Sequence, residues 1–274
     1  MNDNEIYKIR ERGQVVNEAC QWIAEHRRLA MSLAVRPILI LTAIELVNIL
    51  FIKSIAMSLI IGLVALLLVP TVPSMMMFVA ENAEEYDYPN RQPKLLELWD
   101  LWKSYFASAL LIGVIGGVAS FLCSVTMVGP IFIEMVQNVV LVVHQRNRDD
   151  GLLSAISKAF SLSFTNFLSL MLMILGTSII TASMMLGPLA MGWLIFMYLR
   201  SMFTFQMYEV INNVMDSEAW ISLVLTVLAV GYIFANMTSI IIAHFFYGHC
   251  IACENQREAI RQERKKRREE ANKA

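Results

Sequence analysis

The stretch AHFFYGHCIACENQREAIRQERKKRREE, residues 243–270, joins the end of a long apolar run to a strongly basic segment. Basic residues that flank membrane helices are retained on the cytoplasmic side, so charge counts in short flanking segments indicate topology. The stretch therefore predicts a membrane helix that ends at a cytoplasmic surface. The residues that carry this charge are Arg257, Arg261, Arg264, Lys265, Lys266, Arg267, Arg268 and Lys273.

The composition of the whole chain agrees with a membrane protein. Of its 274 residues, 57% are hydrophobic and only 16% are charged, and the mean hydropathy is +0.56. A soluble domain carries roughly 45–50% apolar and about 25% charged residues. The apolar residues also lie in long windows without charge, and about 20 such residues suffice for a spanning helix. The predicted fold class is all-α, a polytopic bundle of transmembrane helices.

Seven apolar segments are separated by polar or turn-forming residues. The first and fourth are short and contain Glu45 and Glu134, and the sixth contains Arg200. The segments cover 35–52, 54–80, 105–126, 130–145, 164–186, 187–207 and 219–247.

Loop charge sets the predicted orientation of these segments. The loops 81–104 and 146–163 each contain three basic residues, whereas the turns at Thr126–Gly129 and Ser183–Gly187 contain none. An N-terminus on the cytoplasmic side places every basic loop inside. Seven spans would then put the basic tail outside. We therefore expect six spans with both termini in the cytoplasm, and 187–207 as a re-entrant or interfacial stretch; seven spans are the alternative.

Amphipathic helices are predicted on the cytoplasmic side. Residues 1–34 show helical apolar spacing and form either a helix on the membrane surface or a solvated helix that caps the bundle. Residues 149–165 form a second, with Asp149 or Asp150 as its N-cap. The domains are thus an amphipathic N-terminal helix (1–34), a transmembrane domain (35–247) and a basic C-terminal helix (248–274).

The main candidate site is a polar cluster in the fourth segment. Glu134 is followed by Gln137 and Asn138 at i+3 and i+4, which places all three on one face of a helix. Ionisable residues inside a membrane are costly and commonly functional. The cluster predicts binding of a cation, a proton or a lipid headgroup, or alternatively a buried hydrogen-bonding cluster that fixes helix packing.

Other polar residues lie in neighbouring segments. Glu45 and Asn48 form a smaller cluster in the first segment, and Arg200 is a possible ion-pair partner for Glu134 or Glu45. Asn236 and His244 in the last segment are further candidates for a polar interior.

Two motifs favour packing over chemistry. Gly113 and Gly117 form a G-x-x-x-G pair, which lets helices approach closely; we expect an intramolecular face, with a dimer face as the alternative. Cys250 and Cys253 form C-x-x-C beside His244 and His249, but these four side chains cover too wide an arc of one helix to hold zinc. No metal, cofactor or catalytic site is predicted.

Three stretches together resemble a known group of proteins: VTMVGPIFIEM at 125–135, SAISKAFSLSFTNF at 154–167 and HFFYGH at 244–249. The chain is similar over roughly residues 25–255 to bacterial six-helix integral membrane proteins, a group similar to the membrane domain attached to some glycerophosphodiester phosphodiesterases. The group's helix break reads Pro-Gly where this chain has Gly129-Pro130. The resemblance implies a fold and a location; the phosphodiesterase domain has no counterpart here, so its activity is not implied.

The sequence favours a non-catalytic protein of the bacterial inner membrane, a scaffold or accessory factor in envelope or lipid homeostasis. The alternative is a transporter or channel for a small solute or lipid that uses the polar cluster around Glu134. The expected partners are membrane lipids and either a protein partner or a second copy of the chain. Nucleic acid is not expected, because the basic run is short, interleaved with glutamates and next to a membrane helix.

Overall fold

The structure is a computed structural model in which part of the chain is described. The predicted segment 54–80 falls almost wholly outside that part, and so do the loop residues 81–94 and the stretch 203–217. The side chain of Arg200 is also outside it. The described residues are 6–11, 13–48, 60, 63–64, 71, 76–77, 95–126, 129–147, 151–202 and 218–271.

Within these ranges the regular structure is entirely helical, as predicted, and contains no strand. A short 3₁₀ turn at Cys123–Val125 joins the third and fourth helices. The α-helices with bounds are α1 (Gln14–Glu25), α2 (Arg27–Val47), α3 (Leu95–Leu122), α4 (Gly129–Arg146), α5 (Leu152–Thr165), α6 (Phe167–Met202) and α7 (Glu218–Ala271).

Three of these helices are long and apolar enough to cross a membrane: the spans Tyr105–Val125 of α3, Phe167–Ile195 of α6 and Leu223–Glu270 of α7. Many apolar side chains of α3 and α6 face outwards, among them Val114, Val118 and Ile179. Exposing an apolar surface of this kind to water is unfavourable, whereas contact with lipid hydrocarbon is not. Length, composition and surface together are those of an α-helical membrane protein.

Helix α7 lies at the centre of the molecule. Every residue from Ala235 to Cys250 is buried, and the helix contacts α1, α2, α4 and α6. A helix that is apolar on all faces has no solvent side and is stable where other helices surround it. Beyond Glu254 the same helix continues as an exposed charged rod, with i,i+4 ion pairs such as Arg267–Glu263 at 2.5 Å. No helix boundary separates its membrane part from its basic part.

The predicted turn at Ser183–Gly187 is wrong, because these residues lie inside the continuous 36-residue helix α6. The fifth and sixth apolar segments are one helix of about 54 Å. Pro188 lacks an N–H and cannot bond to the carbonyl of Met184, one turn earlier. That carbonyl instead faces α7 at Gly231, where an added Cβ would lie 2.7 Å from the Met184 oxygen. The helix thus continues past Gly187-Pro188, where the sequence predicted its end, and this region packs against α7.

The N-terminal residues cap the bundle at the end of its buried core. Helix α1 begins after Gly13, whose φ of 88° is a left-handed conformation that glycine adopts without strain. It buries Val15, Ala19 and Trp22 and packs against α7 and α6. The predicted helix over 1–34 is therefore divided: α1 ends at Glu25, and α2 begins at Arg27.

Helix α5 follows the predicted amphipathic stretch closely. It begins at Leu152 with Gly151 as its N-cap residue, whereas the predicted caps, Asp149 and Asp150, lie outside the described residues. The small residues Ala155 and Ala159 face inwards and are buried. The larger Phe164 is exposed, so the bulky apolar side of the helix is available to lipid.

Candidate binding cavity

A cavity of about 600 Å³ lies between α3, α4 and α7. Its α3 wall falls inside the candidate span Tyr105–Val125, so the cavity is at membrane depth. The volume is in the range of small-molecule sites, roughly 300–1,000 Å³. The described lining residues are Ala109, Leu110, Gly113, Val114, Gly117, Val118, Ser120, Pro130, Glu134, Gln137, Asn138, Leu141, Tyr232 and Asn236.

The polar wall of the cavity comes from α4 and α7. Helix α4 contributes Glu134, Gln137 and Asn138, the cluster predicted from helical spacing. Helix α7 contributes Tyr232 and Asn236 at i and i+4, which also places them on one face. The two polar faces meet because α4 packs against α7.

Two buried amides in this wall lack a hydrogen bond of standard geometry. The Nδ2 atoms of Asn138 and Asn236 are buried, and the two residues are 3% and 6% exposed. Asn138 Nδ2 donates to no atom of the described protein, and Asn236 Nδ2 lies beside the Tyr232 hydroxyl without a hydrogen bond of standard geometry. A buried polar group without a partner costs about 1–3 kcal/mol, and such groups in folded proteins are nearly always satisfied by protein, water or ligand. These amides therefore indicate a polar occupant.

Glu134 is the charged residue of the described lining, which includes no lysine, arginine or histidine. It is half-buried, and among the described residues it forms no hydrogen bond or ion pair. An intramembrane carboxylate is costly unless a cation or proton compensates it. The described part of the cavity thus has an acidic group and supplies no basic group to pair with it.

Small residues on α3 create the space. The glycines predicted for packing, Gly113 and Gly117, both line the cavity, and a Cβ on Gly117 would meet nothing within 4 Å. The close approach to α4 is made instead at Gly116, where a Cβ would overlap the side chain of Gln137. Leu110 and Val114 form an apolar flank that is exposed towards the lipid side.

The second predicted cluster is separate from this cavity. Glu45 lies near the end of α2 and Asn48 directly after it; both are buried, and α2 packs against α7. The Oε2 atom of Glu45 accepts a hydrogen bond from Thr226 Oγ1 at 3.3 Å. This contact joins α2 to the beginning of α7, whereas the cavity lies on its α4 side. The predicted partner Arg200 has its side chain outside the described residues.

Two features of the structure were missed by the sequence patterns. Tyr232 was not selected, although its i,i+4 spacing to Asn236 in an apolar helix was a usable signal. The other is a buried charge near the N-terminus: Arg10 has a fully buried side chain, and its Nε lies 2.7 Å from Glu18 Oε2. Its backbone N–H donates to His249 Nδ1 at 3.1 Å. The histidine named as a metal candidate is therefore engaged in fixing the N-terminal residues.

Comparison of the chain with protein-family models, with curated proteins and with solved structures gives no match. The resemblance to the membrane domain of glycerophosphodiester phosphodiesterases stays a prediction from the sequence. Fold and site together define a class: an α-helical membrane protein with a partly polar cavity among its helices.

Proposed function

We propose that this protein binds a small amphipathic solute or lipid in the cavity and moves it across or within the membrane. One observation carries the proposal: polar side chains from α4 and α7, among them the buried and unpartnered amide of Asn138, line a cavity of about 600 Å³ at membrane depth. A cluster with a purely structural role would pair its own donors and acceptors. Pro130, at the start of α4, also lies in the lining.

The proposed setting is the bacterial inner membrane, with six spans and both termini in the cytoplasm. Counting α6 as one crossing gives six spans from the seven apolar segments and keeps the basic tail beside the basic N-terminal segment. This orientation also leaves the loops with few basic residues outside, as the distribution of Lys and Arg favours.

A scaffold or accessory role is the second candidate, and the exposed end of α7 favours it. Residues 254–270 belong to this helix, are exposed throughout and carry many charges. A solvated charged helix of this kind is suited to contact with a protein partner or an anionic membrane surface. Co-purification of a stoichiometric partner that depends on this helix would favour this role.

A cavity-filling variant tests the transport proposal. Gly117→Leu adds a side chain where the structure offers open space at the cavity wall, so it blocks occupancy without a clash. Gly192→Leu is the matched control, because a Cβ there also meets nothing and the residue lies away from the cavity. In proteoliposomes, the transbilayer movement of short-chain fluorescent phospholipids and small amphiphiles is measured for both variants.

We expect Gly117→Leu to abolish movement of at least one probe that the wild type and Gly192→Leu transport. Glu134→Gln should also alter that movement. The transport role would be excluded if the wild-type protein moved no probe faster than empty vesicles do. It would also be excluded if Glu134→Gln and Gly117→Leu both left the movement of every probe unchanged.

A further inference from the structure

We infer that the ligand of the cavity is an amphipathic ammonium compound with an oxygen acceptor close to its nitrogen. This inference rests on the proposed function and specifies the chemistry of the molecule that the cavity holds. It is argued from the charge, the donors and the apolar flank of the described lining.

The charge of the cavity selects a cation. Glu134 lies in the wall, and the described lining contains no basic residue that would neutralise it. The nearest histidine on the same helix, His144, lies ten residues further along, about 15 Å at 1.5 Å per residue. It is engaged with Ser108, whose Oγ lies 3.2 Å from His144 Nε2. A ligand cation is therefore the natural counter-charge for Glu134.

The aromatic residue in the wall points to the same class. Tyr232 lines the cavity together with Glu134 and Asn236. A tyrosine ring attracts an ammonium group through its quadrupole, and carboxylates and aromatic rings together are a common site for amines. An anionic ligand would meet Glu134 without a compensating cation in the described wall.

The buried amide donors require an acceptor on the same ligand. The Nδ2 group of Asn138 is buried without a partner, and that of Asn236 lies beside the Tyr232 hydroxyl without a hydrogen bond of standard geometry. A simple alkylammonium would satisfy Glu134 and leave these amides unpaired. A hydroxyl, carbonyl or phosphate oxygen near the nitrogen would satisfy them, as in an amino alcohol or an ethanolamine headgroup.

The apolar flank accommodates the rest of the ligand. Leu110, Val114 and Val118 of α3 line the cavity and are exposed on the outside of the bundle. A hydrocarbon chain can lie along this flank while the polar end reaches Glu134. The same chemistry is offered by a lipid with an ethanolamine headgroup and by a free amphipathic amine.

Binding of matched probes tests the inference on the full-length protein in phosphatidylcholine nanodiscs. Octylamine, 1-amino-2-octanol, octanol and octanoate share an eight-carbon chain and differ in charge and acceptor. The readout is the concentration of each probe that raises the apparent Tm. A hydrogen bond to a charged group is stronger than one between neutral groups, so we expect the amines to act at concentrations at least about tenfold lower than octanol. The amino alcohol should be the strongest and octanoate the weakest.

Variants locate the effect at the cavity. Glu134→Gln should remove the preference for amines and keep binding of octanol, whereas Glu134→Asp should retain the preference with weaker binding. Glu45→Gln is the matched control, because Glu45 is also a buried glutamate but lies outside the cavity lining. It should leave the preference unchanged. If Glu134→Gln does not fold, the inference is still tested by the order in which the wild type and Glu134→Asp bind the four probes.

The inference would be overturned if octanol or octanoate bound as well as the amines, or if the preference survived in Glu134→Gln. If all four probes bound equally and Gly117→Leu blocked that binding, the proposed function would stand and only the assignment of a cationic ligand would fail. Absence of binding by every probe would contradict both. Adding phosphatidylethanolamine to the nanodiscs separates the two sources: competition with octylamine indicates the lipid headgroup, and unchanged binding indicates a free amine.

Discussion

At the scale of single residues, Arg10 shows how the chain fixes its N-terminal segment. Its buried guanidinium donates to Glu18 Oε2 and, through Nη1, to the carbonyl of Ile6 at 2.8 Å. The group also lies 4.7 Å from the centre of the Phe245 ring. A buried charge is tolerated when it is paired and its donors are satisfied, and these contacts meet that condition. Arg10 thus links the N-terminal residues and helix α1 to α7, which is distant in sequence.

Two cations that share one carboxylate give a matched pair of variants. Lys8 Nζ lies 3.9 Å from Glu18 Oε1 and is largely exposed, whereas Arg10 is buried against Glu18 Oε2. Arg10→Ala should destabilise the N-terminal segment by about 3–5 kcal/mol, as for a broken buried pair. Lys8→Ala should cost roughly 0–1 kcal/mol, as for an exposed pair. Hydrogen exchange of the amides in residues 6–11 measures the difference, and equal effects of the two variants would contradict this account.

At the scale of helices, glycines determine how closely α7 is approached. Gly231 allows α7 to lie against the backbone of α6 at Met184, and Gly248 allows Ile6 to lie against α7 near its exposed part. At both positions a Cβ would meet backbone atoms, which cannot rotate away. The contact with α6 involves the carbonyl that Pro188 leaves without its helical donor.

The contact between α6 and α7 should therefore be sensitive to one methyl group. We expect Gly231→Ala to lower the stability of the purified protein by about 1–3 kcal/mol, the usual cost of overpacking. Gly192→Ala on α6 should have little effect, because its Cβ would enter open space. Apparent Tm values of the two variants in the same detergent provide the comparison. A Gly231→Ala protein as stable as Gly192→Ala would show that the helices separate without cost.

The helices also show which features the sequence could predict. The spacing of Glu134, Gln137 and Asn138 is local, so periodicity alone placed them on one face. The turn before Pro188 was predicted wrongly because Gly-Pro normally ends a helix, whereas neighbouring helices can compensate for proline inside a membrane bundle. The pairing of this cluster with Tyr232 and Asn236 depends on how α4 meets α7. That contact joins residues about 100 positions apart, and no local pattern encodes it.

At the scale of the whole molecule, the fold is organised around α7. Its buried part contacts helices from both halves of the chain, and its last turns leave the bundle where the N-terminal residues bind to it. The cavity lies on one side of this helix, and the Glu45–Thr226 contact lies on another. Structural polar contacts and the candidate binding site are therefore separated around a single central helix.

The direction in which α7 crosses the membrane depends on whether the continuous helix α6 crosses once. If α6 crosses once, the stretch that follows it lies on the opposite side from the basic end of α7. In a variant without the native cysteines, Asp216→Cys should react with a membrane-impermeant maleimide on intact cells. Lys273→Cys and Asp3→Cys should react only after lysis, because both termini are then cytoplasmic. Reaction of Asp216→Cys and Lys273→Cys from the same side would rule out six spans, since one crossing of α7 must separate them.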